Sequence, residues 1–98
     1  MWIMVPVEER MLTEAEFGFF ELCYLITTEK ADELRKDGFS VTSIEDREDS
    51  PRVFRIDWSR AGESFKDEDV LKLNENDPKY KLSEKLFIIS TQSNAVSL

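Results

Sequence analysis

Apolar and polar positions alternate most regularly between Arg52 and Arg60, where Phe54, Ile56 and Trp58 fall on one side and Val53, Arg55, Asp57 and Ser59 on the other. A period of two belongs to a strand with one buried face. Upstream, Phe39, Val41 and Ile44 alternate less regularly before the polar run Glu45–Ser50, and Pro51 restarts the chain. Together the two segments predict a hairpin.

Before the hairpin, Thr28 has the chemistry of a helix N-cap, Glu29 suits the positive end of the helix dipole, and Arg35 and Lys36 suit the negative end. Gly38 can take the left-handed conformation that closes a helix. These signals predict a helix over Glu29–Asp37, with Ala31 and Leu34 turned inward and Asp32 paired with Lys36 at i, i+4.

The apolar run Phe17–Thr27 has no decisive period, because a buried strand and a helix that is apolar all round look alike over this length. Aromatic and β-branched residues crowd its second half, which favours a buried strand over Leu22–Thr27. The preceding Thr13-Glu14-Ala15-Glu16 has the form of a capping box, so a short helix is expected to start there and end near Phe20. A single helix from Glu14 to Ile26 is the competing arrangement. With a strand before Thr28, eleven residues lead to Phe39, about the minimum for a right-handed parallel crossover, and the core unit is β-α-β-β.

Trp2–Val7 reads as a short strand or apolar arm, with Pro6 marking an edge or an end. Ser64 with Asp67 predicts a short helix through about Leu73. The last apolar group, Leu82 and Leu86–Ile89, fits a strand over Lys85–Thr91 or a helix begun near Ser83, and the Phe-Ile-Ile-Ser-Thr composition favours the strand. Residues 92–98 read as a frayed tail. The expected fold is one small α+β domain over residues 1–98, with a β-α-β-β core, short additional helices and a C-terminal strand.

Composition changes this picture mainly by exclusion. The chain has no histidine, which removes the commonest general base and the Ser-His-Asp and Cys-His arrangements. Cys23 is the single cysteine and no lysine or arginine lies within five residues, so a buried, inert thiol is expected. A formal net charge of -8 repels nucleic-acid backbones and anionic lipid, and residues 1–27 are the most one-sided, with five acids and one base. The apolar start lacks a basic region and Phe17–Ile26 is too short to cross a bilayer, so a cytoplasmic protein is expected.

Candidate chemistry is sparse. Glu45–Asp49 reads as a solvated hairpin loop, and the acids around Lys66–Asp77 lack the central glycine and terminal glutamate of a calcium loop. Glu21 interrupts an apolar run and is expected at the exposed end of a helix; in a low-dielectric site it could act as an acid or base. Arg55 and Asp57 share the wet face of the hairpin. Trp2, Ile3 and Val5 lie where few neighbours of the same chain can cover them, and they suggest an arm that docks on a second subunit or a partner. The resulting expectation is a small acidic, non-catalytic protein-interaction module of bacterial or phage type, without cofactor or metal, using Trp2, Ile3, Val5, Arg55 and Asp57. Two alternatives stand beside it: an acidic inhibitor that imitates nucleic acid, and a small enzyme working through a carboxylate such as Glu21 or Asp57.

Overall fold

The computed structural model describes residues 5–45, 49–63, 65 and 77–96. In chain order the elements are helix α1 (Val7–Glu16), strand β1 (Glu21–Ile26), helix α2 (Thr28–Lys36), strand β2 (Ser40–Ser43), strand β3 (Arg52–Asp57), a 3-10 turn (Ser59–Gly62) and helix α3 (Leu82–Val96). The chain adopts the α+β class, with the β-α-β-β order intact. The helix expected over Ser64–Leu73 falls almost wholly outside the described residues, as do Asp46–Glu48 in the acidic loop.

Two junctions of the same design aim the first two helices at the sheet. After α1, Gly18 takes a φ of 88° and the amides of Gly18 and Phe19 donate to the carbonyls of Ala15 and Glu14. After α2, Gly38 takes a φ of 97° and the amides of Gly38 and Phe39 donate to Arg35 and Leu34. Both are Schellman closures, which need a residue free to adopt positive φ.

This corrects the reading of the N-terminal third. Val7, Met11 and Ala15 recur every fourth residue and are all buried, so the helix runs from Val7 rather than from a cap at Thr13. Thr13 lies inside it, its hydroxyl donating to the Glu9 carbonyl at 3.0 Å. The strand expected to reach Val7 is not formed at residues 5–7, and the helix ends at Glu16 rather than Phe20. Glu21 accordingly opens a strand instead of closing a helix.

α2 also shifts by one residue. Thr27, not Thr28, is its cap, with Oγ1 accepting the Lys30 amide at 3.1 Å, while the Thr28 amide donates to Ser50 Oγ at 3.2 Å. Ala31 and Leu34 face inward as expected. Asp32 pairs with Arg35 at i, i+3 and not with Lys36, because Arg35 is held over β2 by Nε and Nη2, both donating to the Val41 carbonyl.

The sheet has the order β1-β3-β2, and β3 is antiparallel to both neighbours. β1 and β2 therefore point the same way without touching. The crossover expected to join neighbouring parallel strands leaves a gap one strand wide, and β3 fills it. Leu22, Ile26, Val41, Phe54 and Ile56 turn to the face that the helices cover, joining Met11, Leu34, Trp58 and Leu86 in one core. Fully burying each large side chain contributes about 1.5–3 kcal/mol before entropy is deducted.

The C-terminal strand is not formed. Lys85–Thr91 belongs to α3, which extends through residues 92–96 where a frayed tail was expected. Glu84 accepts the Lys81 amide at 2.9 Å, half of a capping box. Two buried serines two turns apart then pin α3 to both Schellman junctions: Ser83 Oγ donates to Asp37 O, and Ser90 Oγ donates to Phe19 O, each at 2.6 Å. Ser90 Oγ also accepts the Trp58 indole N–H at 3.0 Å. Among the described residues no helix is long and apolar enough to cross a membrane.

Candidate interaction surface on the open face of the sheet

With α1, α2 and α3 on one side, the alternate residues of each strand face outward. The register sorts them into rows across the three strands. Glu21 lies beside Asp57 and Asp57 beside Ser40; Cys23 lies beside Arg55 and Arg55 beside Thr42. The next row is different in kind. Leu25 lies beside Val53, and the Val53 carbonyl accepts the amide of Ile44, just past the end of β2, so three apolar side chains form one line. Leu25 and Ile44 are 38% and 54% exposed, which marks the line as surface rather than core.

The polar rows are largely self-contained. One carboxylate oxygen of Glu21 accepts both Nε and Nη2 of Arg55, the former at 2.7 Å, and Asp57 Oδ2 stands 3.8 Å from the same guanidinium. These contacts, Glu21 first, raise the pKa of the exposed Arg55 further above its ordinary value. Asp57 Oδ1 accepts the amide and hydroxyl of Ser59 at 2.7 and 2.6 Å, an Asx turn that leads into the 3-10 turn. A groove of about 300 Å³ lies over Ser40, Thr42, Arg55, Asp57, Ser59 and Arg60. Arg55 there faces the Glu21 and Asp57 carboxylates at close range. The arrangement builds a mixed polar surface and not a concentrated charge.

Of the residues singled out in the sequence, Arg55 and Asp57 come together on this face. Val5 lines a groove with Leu25, and its carbonyl accepts the Tyr24 hydroxyl at 2.6 Å. Val5 is 43% exposed. Trp2 and Ile3 lie outside the described residues. Cys23, expected to be buried and inert, is exposed, because β1 puts Leu22, Tyr24 and Ile26 inward and leaves the odd positions to solvent. Leu25, Val53 and Ile44 were missed, although the alternation in β3 marks Val53 as outward-facing. The line they form depends on long-range register and not on any local pattern. Family models, curated proteins and solved structures yield no match to this chain.

Proposed function

We propose that the protein is a small, non-catalytic protein-interaction module whose docking surface is the open face of the sheet. The observation that carries this reading is the outward apolar line Leu25, Val53 and Ile44, rimmed by the paired charges of Glu21, Arg55 and Asp57. An apolar centre with a polar rim is the anatomy of a protein interface. Arg55 and Arg60 among the acids of this face do not favour imitation of a phosphate backbone, and among the described residues the shallow groove beside them holds no unpaired carboxylate aimed at a substrate.

The test is affinity capture from the native host with identification by mass spectrometry. Leu25→Asp and Ile44→Asp each place a charge on the line without touching the core, and their folding is verified by circular dichroism. A partner held by the unaltered chain and lost from both variants is expected. Capture of the same proteins by all three would overturn the assignment.

A further inference from the structure

The two edges of the sheet differ, and the difference identifies how a partner can join it. On β2, the outward Val41 carbonyl is already occupied by the guanidinium of Arg35. On β1, the ladder to β3 uses the residues that pair as Leu22 with Ile56 and Tyr24 with Phe54, continuing the bond from the Trp58 amide to the Phe20 carbonyl. The intervening residues Glu21, Cys23 and Leu25 direct their N–H and C=O groups away from β3. Among the described residues nothing pairs with them.

We infer that β1 receives an extended segment of a partner protein as an antiparallel fourth strand, apolar at both ends and basic at the position facing Glu21. This rests on the interaction reading above and names the form the partner takes there. The outward column of β1 ends at Leu25, and the 57% exposed Phe19 stands two residues before the strand, which suits apolar residues opposite both. Between them stands Glu21. Only its Oε2 is engaged by Arg55, so Oε1 is available to a lysine, and the net charge of -8 favours a basic segment over an acidic one. A second copy of this chain fits poorly. Pairing β1 with itself sets Glu21 against Leu25 when Cys23 meets Cys23, or brings two Glu21 carboxylates onto one diagonal when Glu21 meets Cys23, and either arrangement joins two chains of the same charge.

The probe is the capped heptapeptide Val-Thr-Ser-Thr-Lys-Thr-Val, titrated into the full chain and followed by amide NMR. In the free protein, the Glu21, Cys23 and Leu25 amides should exchange with solvent faster than those of Leu22, Tyr24 and Ile26. Binding should shift the first set most. N-methylation of the third and fifth peptide residues, whose amides face β1, should weaken binding at least about tenfold, whereas methylation of the fourth and sixth should leave it within about threefold. Cys23→Pro removes an outward donor that the β1–β3 ladder does not use, and Leu25→Lys blocks the edge by charge; each should abolish binding.

No binding at millimolar peptide, or equal loss from both methylation patterns, would overturn the inference. So would protection of the outward amides in the free monomer, the sign that residues 1–4 occupy the edge, or a dimer by light scattering that Leu25→Lys dissolves. Ile44→Asp in the capture experiment, set beside the peptide titration of the unaltered chain, separates the two readings. Host capture lost with Ile44→Asp while the peptide fails to bind keeps the docking face and removes the added strand.

Discussion

Replacing Ser90 with alanine removes one oxygen that satisfies two groups from distant parts of the chain. Trp58 and Ser90 are both 0% exposed, and the indole N–H has Ser90 Oγ as its partner at 3.0 Å. Ser90→Ala leaves that donor buried without an acceptor, at a cost of about 1–3 kcal/mol. It also removes the hydroxyl that donates to the Phe19 carbonyl at 2.6 Å, worth about 0.5–1.5 kcal/mol. The combined loss of about 1.5–4.5 kcal/mol is a large share of the roughly 5–15 kcal/mol typical of a folded domain. Urea unfolding followed by far-UV circular dichroism should show the midpoint lowered by about 1–2 M with little change in slope. In the Trp58→Phe background no indole N–H remains to be orphaned, so Ser90→Ala should then cost only the Phe19 part. A loss below about 0.5 kcal/mol in the unaltered protein, or the same loss in both backgrounds, would refute the reasoning.

Two other substitutions test the helix assignments. Thr27→Ala should destabilise by about 0.5–2 kcal/mol in the same urea assay, with Thr28→Ala clearly milder, because Thr27 supplies the capping oxygen. The contact between Glu8 and Lys30, at 2.7 Å, links α1 to α2. The hydrogen bond from Lys30 holds the Glu8 carboxyl below its ordinary range, and the same bond raises Lys30. Both side chains are substantially exposed, so the pair is worth about 0.2–1 kcal/mol. Its stabilisation is complete above the ordinary glutamate value of 4.5 and fades as pH falls through the lowered folded value; at the other extreme it fades as pH rises through the raised value of Lys30. The stability gap between the protein and Lys30→Met, measured against pH, should therefore close at both ends.

Local chemistry made α2 and β3 legible, since Gly38, the charges at the helix ends and the alternation of Phe54, Ile56 and Trp58 all act over a few residues. Gly18 carries the same message as Gly38, each followed at once by a phenylalanine, and reading it that way ends α1 at Glu16. The threonine at position 13 pulled the reading toward a later start, because a capping-box pattern cannot be told from a threonine bonded back to its own helix without knowing which residues are buried. α3 was hidden for a different reason. Leu86, Ile88 and Ser90 alternate as a strand would, and they are all buried because the helix is wedged between α1 and the 3-10 turn. Its serines find partners at Asp37 and Phe19, dozens of residues away. The open face of the sheet followed the same division: Arg55 and Asp57 were visible as outward residues of one strand, whereas the line from Leu25 to Ile44 exists only once the strands are placed in register.

That register is tested most directly by contacts between α-protons in a NOESY spectrum. The account predicts strong cross-peaks between Cys23 and Arg55, Leu25 and Val53, and Val41 and Ile56, the non-hydrogen-bonded pairs of the two ladders. Cross-peaks linking β1 directly to β2, or shifted by one residue against β3, would scatter the apolar line and contradict it.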